Sequence, residues 1–273
     1  MAKLEQLKAR IGYLLPTAQE ETANIDLFAP ITEREECPIC MLPFPISGPM
    51  DRNEFVFMTC CGKYVCRGCL FRITMDEKKK GIKYHDTKCT HCRLPRKNRK
   101  STIQEVKRLM KHNNPDVFLE VAGRYRVGED GVFQSNTKSL EMYIRAAELG
   151  NAEAYYMIGA AFIQEGIVVE RDESKTFEFW KVAAKKGSIY AHRELGLVHK
   201  KNGNISESIR HWKVAASAGD QESITHLMKS YKEKELSKEG LSKILRAFQI
   251  SSNEMKSKDR DEANVYIKEH RMS

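Results

Sequence analysis

The chain has 273 residues, of which 41% are hydrophobic and 30% are charged, a balance typical of globular proteins and consistent with two domains. It contains no run of about 18 uncharged apolar residues, and charged residues interrupt its first ten positions, so neither a membrane span nor a secretory signal peptide is expected. We therefore expect a soluble, intracellular protein of the cytoplasm or nucleus.

The opening segment, residues 1–36, predicts a short amphipathic helix. Apolar residues recur there at helical spacing, namely Leu4, Leu7, Ile11, Leu14 and Leu15. Pro16 is expected to end this pattern, because a proline lacks the backbone N–H that a helix needs. We expect the helix to pack on the rest of the protein or on a partner helix; the alternative is a helix of marginal stability.

Residues 37–97 hold all the cysteines of the chain, and their spacing predicts metal sites. The two thiolates of a Cys-x2-Cys pair can reach one tetrahedral ion from a single turn, and sulfur ligands favour zinc over calcium or magnesium. Eight thiolates are enough for two closed, structural zinc sites, without which so small a module is expected to unfold. The cysteines form three Cys-x2-Cys pairs and one adjacent pair: Cys37, Cys40, Cys60, Cys61, Cys66, Cys69, Cys89 and Cys92.

Two other interpretations of these cysteines are open. A disulfide framework is typical of small secreted domains, but no secretory signal precedes the cysteines. A single Cys-x2-Cys pair is also compatible with redox chemistry, yet three pairs within one short segment favour metal binding.

The cysteine segment resembles a RING finger of the all-cysteine type. The resemblance is carried by Cys37-Pro38-Ile39-Cys40, by the block from Cys61 to Cys69, and by Cys89-x2-Cys92 followed by Arg93. It implies two zinc ions bound in a cross-brace. The first ion would be bound by Cys37, Cys40, Cys66 and Cys69, and the second by Cys60, Cys61, Cys89 and Cys92.

The segment departs from the RING pattern at two places near the second site. Cys60 and Cys61 are adjacent, where RING fingers usually have a gap, and Lys63 stands near the position of a common histidine. His85 and His91 are the alternative ligands, but we favour solvated loop positions for both.

The RING resemblance also implies an activity. RING fingers bind a ubiquitin-conjugating enzyme charged with ubiquitin and promote transfer to a substrate lysine, without a covalent intermediate of their own. By position, Ile39 and Ile73 would contact the conjugating enzyme, and Arg93 would clamp ubiquitin; the alternative for both isoleucines is the local core of the module. Thr90 and His91 depart from the pattern, because a proline commonly follows the seventh ligand.

The net charge of +9 is concentrated in residues 72–112, which contain 14 Lys or Arg and four Asp or Glu. The densest runs are Lys78–Lys80 and Arg96–Lys100. Such a patch attracts nucleic-acid phosphates, acidic proteins or nuclear import receptors; the alternative is a solvated face. The aromatic residues near these cations are only Phe71, directly before the segment, and Tyr84 within it, so stacking on single-stranded bases is poorly supported.

Residues 98–115 predict a basic, helical connector. Ser101 and Gln104 have the spacing of a capping box at its start, and Pro115 follows its end. Its apolar stripe predicts that it docks on one of the flanking domains. The stripe consists of Ile103, Val106, Leu109 and Met110.

From residue 116 onward the sequence repeats itself. Ala-Ala-x2-Gly recurs at Ala146, Ala183 and Ala215, at spacings of 37 and then 32 residues. This period predicts helical hairpins that stack into a solenoid, with glycines where two helices touch and aromatic rings as core knobs. The glycines are Gly123, Gly159 and Gly196, and the rings are Tyr143, Trp180 and Trp212.

This pattern resembles the Sel-one-like repeat, a relative of the tetratricopeptide repeat, over residues 116–219. A degraded fourth copy, with Met228 in place of the glycine, extends the predicted repeat domain to residue 252 and would cap it. The charged tail, residues 253–273, is expected to add one last helix. The predicted fold is therefore a small α+β, zinc-bound, RING-like module followed by an all-α helical-repeat solenoid.

No catalytic constellation is evident in the sequence. The solenoid histidines, His192, His199, His211 and His226, lack paired carboxylates or a nucleophile, so any activity must come from a partner. One hypothesis is a ubiquitin ligase whose solenoid binds a protein substrate. The other is a non-enzymatic zinc-binding scaffold that binds nucleic acid or an acidic partner with salt-dependent affinity.

Overall fold

The computed structural model describes residues 2–46, 54–83, 87–95, 102–129, 131–163 and 169–271. The basic run Arg96–Lys100, the capping residue Ser101, Tyr84 and the alternative ligand His85 lie outside these ranges. The elements are α1 (Ala2–Glu21), β1 (Phe55–Met58), β2 (Lys63–Cys66), α2 (Arg67–Lys79), α3 (Thr102–Met110), α4 (Pro115–Val127), α5 (Asn136–Glu148), α6 (Ala152–Ala161), α7 (Glu173–Lys185), α8 (Ile189–Lys201), α9 (Ile205–Ser217), α10 (Gln221–Lys232), α11 (Lys238–Glu254) and α12 (Lys258–Arg271).

Helices α4 to α11 stack as four helical pairs, and the second helix of a pair packs on the next pair. Polar side chains cap the first helix of each pair by accepting a backbone N–H bond, and they are Asn114, Asn151, Ser188 and Asp220. Gly150, Gly187 and Gly219 follow the second helices at φ values of 89°, 94° and 108°, which favour glycine. The predicted helical-repeat solenoid is confirmed.

Helices of the repeats approach closely where a tryptophan lies against a glycine. A Cβ added at Gly159 would lie 2.7 Å from Cδ1 of Trp180, and one added at Gly196 would lie 2.3 Å from Nε1 of Trp212. Both indoles are buried, and their N–H groups donate to backbone carbonyl oxygens at 3.2 Å. The two tryptophans are therefore core knobs, as predicted. Met228 is 45% exposed.

Helix α1 differs from its prediction, because it continues through Pro16 to Glu21. Its apolar face packs on α5 and α7, and the ion pairs Lys3–Glu141 and Arg10–Glu148 reinforce this contact at 2.7 and 2.8 Å. Docking offsets the lost hydrogen bond at the proline, since tertiary packing supplies most helix stability in proteins. The buried residues of this face are Leu7, Ile11, Leu14 and Ala18.

The chain after α1 follows the solenoid towards its last pair before it enters the cysteine segment. The Phe28 ring packs on His211 of α9 at 4.8 Å between centroids, with the Arg210 guanidinium over its face. Arg34 then donates to the Ala218 carbonyl oxygen and pairs with Glu254 of α11. These contacts fix the approach to the first cysteine loop.

The cysteine segment contacts both ends of the solenoid. At one end, Phe57 of β1 shares a small core with Val106 of α3 and with Val117 and Val121 of α4, so the connector helix docks. At the other end, α12 packs on α2 rather than extending the solenoid. The fold is thereby closed through the cysteine segment.

Helices α2 and α12 are joined by polar and aromatic contacts. Arg72 pairs with Asp259 at 3.2 Å, and the rings of Phe71 and Tyr266 lie 5.2 Å apart. Within the basic segment, Arg72 and Arg108 bond to other parts of the chain at the surface, whereas Lys78–Lys80 form no ion pair among the described residues. Part of the excess positive charge is therefore engaged in contacts within the chain.

Candidate metal centres

The first Cys-x2-Cys pair lies on a tight loop between two bridged residues. Glu36 and Pro43 form an isolated antiparallel bridge. Within the loop, the Cys37 N–H donates to the Leu42 carbonyl oxygen at 3.0 Å, and the Met41 N–H donates to the Cys37 carbonyl oxygen at 2.8 Å. Met41 has a φ of 57°, which turns the chain back directly after the second cysteine.

The last Cys-x2-Cys pair lies on a loop of the same construction. Lys88 and Pro95 form the bridge, the Cys89 N–H donates to the Leu94 carbonyl oxygen at 2.7 Å, and the Arg93 N–H donates to the Cys89 carbonyl oxygen at 3.0 Å. Arg93 has a φ of 63°. Two distant segments of the chain thus present their thiols from equivalent turns.

The other four cysteines are positioned by the β1–β2 hairpin and by α2. Cys60 and Cys61 lie in the hairpin turn, where the N–H groups of Cys61 and Gly62 both donate to the Met58 carbonyl oxygen. Cys66 ends β2 and caps α2, its sulfur accepting from the Cys69 N–H at 3.4 Å. A short hairpin followed at once by a helix therefore directs the two middle pairs of thiols.

The structure brings the cysteines together in two clusters with the predicted membership. In each cluster all four sulfur atoms lie within 4.8 Å of one another. Cys60 and Cys61 both belong to the second cluster, while His91 is exposed and belongs to neither. The clusters are Cys37, Cys40, Cys66, Cys69 and Cys60, Cys61, Cys89, Cys92.

The sulfur geometry and the pKa values together test the fit of a cation. Zinc–sulfur bonds of about 2.3 Å in a tetrahedron separate the sulfurs by about 3.8 Å, and Cys40 and Cys66 have sulfurs 3.8 Å apart. Hydrogen bonding from Cys66 lowers the pKa of Cys37 to about 4, whereas burial raises the pKa of Cys69 and of Cys61 to about 12. The four thiols of one cluster ionise together only around a cation, because their negative charges repel one another. Each set of four sulfur ligands therefore fits zinc.

The residues that the RING resemblance assigned to partners lie around these clusters. Ile39, inside the first loop, is half-buried against the cysteine core, and Ile73 is half-buried on α2. Arg93 is exposed on the second loop. Thr90 is buried, and its hydroxyl oxygen has no hydrogen-bond partner among the described residues.

Arg260 of α12 contacts the first cluster, and nothing in the sequence predicted this contact. Its Nη2 atom lies 3.6 Å from the Cys40 sulfur and 3.2 Å from the Leu42 carbonyl oxygen, and its Nη1 atom donates to the Pro43 carbonyl oxygen at 2.7 Å. No local pattern marks this arginine, which is one of many cations in a charged tail.

A cavity of about 480 Å³ lies where the cysteine segment meets the repeats. Phe44 and Tyr64 line it from the cysteine segment, and Tyr190 lines it from α8. The half-buried carboxylates of Asp116 and Glu153 lie at the starts of α4 and α6, and burial raises both pKa values, that of Glu153 to about 8. The cavity joins apolar walls to acidic groups, and the cations Arg34 and Lys186 line it as well.

Comparison with known proteins identifies the repeats. Three consecutive segments match the Sel1 repeat family, at residues 120–151, 152–188 and 190–220. The helical pairs of this region are Sel1 repeats. The matches run from within α4 to the residue before α10, so neither the fourth pair nor the cysteine segment is covered by them.

Two solved structures are similar to this chain. A Sel1 repeat protein from Oxalobacter formigenes is 19% identical, with 67% of this chain and 69% of that chain covered and a TM-score of 0.47. The protective antigen c5321 of uropathogenic Escherichia coli, which displays an SLR fold, is 17% identical, with 71% and 43% covered and a TM-score of 0.44. No curated protein matches the chain. Among the described helices, none has the length and apolar character that spanning a membrane requires.

Proposed function

We propose that the protein is a RING-type ubiquitin ligase in which two zinc ions hold the cysteine segment. The observation that carries the proposal is the interleaving of the two cysteine clusters along the chain. The first and third pairs of thiols form one cluster, and the second and fourth pairs form the other. This alternation is the cross-brace order of a RING finger.

Zinc is the metal that suits this donor set. Each cluster offers four sulfur atoms and leaves no position for water, which is typical of structural zinc rather than of catalytic metal. The ions would hold two loops and a hairpin that share only a small apolar core. The proposed role of the metal is therefore to fold the surface that partners bind.

The surface assigned to the conjugating enzyme is compatible with the packing of α12. That helix packs on the side of α2 that carries Gly68, Phe71 and Arg72. Ile73 follows Gly68 by five residues, which places it about 140° further around the helix axis. The contact with α12 thus leaves the Ile73 side of α2 to other partners.

The Sel1 repeats supply the second half of the proposed function. Helical-repeat solenoids present extended surfaces for proteins, and a protein-interaction role is the part of the proposal that the repeats support directly. We assign substrate binding to the solenoid and binding of the conjugating enzyme to the cysteine segment.

The metal content is tested by native mass spectrometry of protein purified without chelator. We expect two zinc ions per chain. Cys66→Ser should abolish binding at the first site, and Cys60→Ser should abolish binding at the second, leaving one ion in each variant. One ion or none in the parent protein contradicts the eight-ligand assignment.

The activity is tested by discharge of ubiquitin from a panel of charged conjugating enzymes. Ile39→Ala should weaken binding of the conjugating enzyme by about 1 to 3 kcal/mol, as loss of an interface anchor does. Arg93→Ala should slow discharge with little change in binding, since a ubiquitin clamp acts on the charged complex.

Met41→Ala is the matched control for Arg93→Ala, because both replace a left-handed residue after the second cysteine of equivalent loops. All variants must retain two zinc ions for the comparison to hold. If the parent protein promotes discharge of ubiquitin from none of the conjugating enzymes, the ligase proposal is wrong. The alternative, a zinc-binding scaffold, then takes its place.

A further inference from the structure

Arg260 is a buried cation held against the first cysteine cluster. Its side chain comes from the first turn of α12, and the residue is only 4% exposed. Besides Leu42 and Pro43, its guanidinium bonds to the Met255 carbonyl oxygen. It therefore ties the first cysteine loop to the chain that enters α12.

Arg260 lacks the usual counter-ion within the part of the chain that the structure describes. Among the described residues, no carboxylate forms an ion pair with it, and its Nε atom has no hydrogen-bond partner. An unpaired buried charge is costly, so an anion is expected nearby. The sulfur of Cys40, at 3.6 Å from Nη2, belongs to a set of four thiolates that keeps a net charge of about −2 when it binds a divalent ion.

On the basis of the proposed zinc binding, we propose that Arg260 is a positioning residue for the first metal site. It offsets the residual negative charge of the four thiolates and fixes the loop that carries Cys37 and Cys40. Through it, α12 slows loss of the metal from the first site. Partners outside the ligand shell commonly tune metal affinity in this way.

The backbone contact between α2 and α12 supports this assignment independently. A Cβ added at Gly68 would lie 2.6 Å from the Arg260 backbone nitrogen and 2.8 Å from the Asp259 carbonyl carbon. Only the absence of a side chain at position 68 lets α12 approach so closely. The glycine lies directly before the ligand Cys69, so the close approach occurs at the metal site itself.

The second cluster has a different environment. Arg108 of α3 donates to the Cys60 carbonyl oxygen at 2.7 Å, but this contact is exposed to solvent. Solvent screens such a charge far more than a buried one. The protein should therefore hold its two metal ions unequally when Arg260 is changed.

The test uses the zinc-loaded, full-length protein in timed exposure to a chelator and a thiol-alkylating reagent. Peptide mapping then measures labelling of the first-site pair, Cys37 and Cys40, separately from that of the second-site pair, Cys89 and Cys92. Arg260→Met and Gly68→Ala should each speed first-site labelling by about 10- to 100-fold, while second-site labelling stays at the parental rate. Arg260→Lys keeps the charge but loses the forked geometry. Its rate of first-site labelling should lie between that of the parent protein and that of Arg260→Met.

Matched controls separate a local effect from a general one. Arg246→Met removes an exposed arginine of α11, and Gly12→Ala adds a methyl group where nothing lies within 4 Å of it. Neither should change labelling at either site.

The possible outcomes distinguish this inference from the zinc proposal. A parent protein that binds no zinc contradicts both. Two bound ions with parental first-site labelling in Arg260→Met overturn the role of Arg260 alone. Equal acceleration at both sites also overturns it, because a merely loosened fold would release both ions.

Discussion

At the scale of single residues, each buried tryptophan of the solenoid depends on a glycine of the neighbouring helix. The ring of Trp180 occupies the space beside Gly159, and Trp212 occupies the space beside Gly196. The indole and the missing side chain form one packing unit, in which neither member can change size alone.

Trp180→Ala should therefore lower the free energy of unfolding by about 3 to 5 kcal/mol, the cost of a large-to-small core change. Urea denaturation followed by circular dichroism measures it. Met228→Ala, at the exposed position that replaces the glycine in the fourth pair, is the control and should stay within about 0.5 kcal/mol of the parent. Equal stability of both variants would mean that the repeat register is wrong.

The buried histidines His192 and His211 couple the solenoid to pH. Their Nδ1 atoms lie 3.0 Å apart, so one ring donates to the other. Burial lowers the pKa of His192 to about 4 and that of His211 to about 3. Both values lie below the unfolded value of about 6.5, so this contribution to stability is complete above pH 6.5 and is lost as the pH falls towards 4.

We expect the free energy of unfolding of the solenoid to fall between pH 6.5 and 4, and His192→Gln to make the fall shallower. Tryptophan fluorescence is the suitable probe, because both tryptophans of the chain lie in the repeats. His112→Gln, at an exposed position, should leave the slope unchanged. If the free energy of unfolding falls equally steeply with pH in all three proteins, the histidine pair does not cause the fall.

The same residue scale shows why some site residues could be predicted and others could not. The membership of both cysteine clusters follows from short, local spacings, as for Cys37 and Cys40, combined with the RING resemblance. The partners of Arg260 are mainly backbone oxygens about 220 positions earlier in the chain, and backbone oxygens leave no mark in a sequence. Its role could be inferred only from the folded chain.

At the scale of elements, α1 shows that a docked helix can tolerate a proline in its interior. Pro16 leaves the Gly12 carbonyl oxygen without its usual helical partner. The flanking turns are retained because Leu14 and Ala18 are buried against the solenoid. The apolar spacing of the sequence predicted which face is buried, but not that docking would carry the helix past the proline.

Pro16→Ala should raise the free energy of unfolding by about 1 to 3 kcal/mol, since it restores a backbone hydrogen bond at an exposed position. Leu7→Ala, on the buried face of the same helix, should instead destabilise by about 2 to 5 kcal/mol. Thermal unfolding of both variants measures the two effects. Destabilisation by Pro16→Ala would mean that a bend at the proline is needed for packing on α5 and α7.

At the scale of the whole molecule, the cysteine segment joins two parts of the fold that are far apart in sequence. It packs on α3 and α4 through Phe57 and on α12 through α2. The order of the domains could be predicted from composition and repeats. The closure of the fold through α2 and α12 could not be predicted. It depends on contacts between positions about 190 residues apart, and these positions share no sequence pattern.

Removal of the proposed zinc ions should loosen both of these contacts together. After treatment with a chelator, hydrogen exchange should rise in α2, α3 and α12, while the central helices α6 to α8 keep their protection. Adding zinc back should restore the parental pattern. Unchanged exchange in α12 would show that its packing on α2 does not depend on the metal.

The closure also constrains how this architecture can change in length. An open solenoid has two free ends. It tolerates gain or loss of a repeat because each unit contacts only its neighbours. Here one additional hairpin would shift α12 by about 10 Å, the usual spacing of packed helices, and Gly68 would no longer meet Arg260. The closure therefore disfavours a change in repeat number, whereas an insertion in a loop between helices would leave the contact between Gly68 and Arg260 in place.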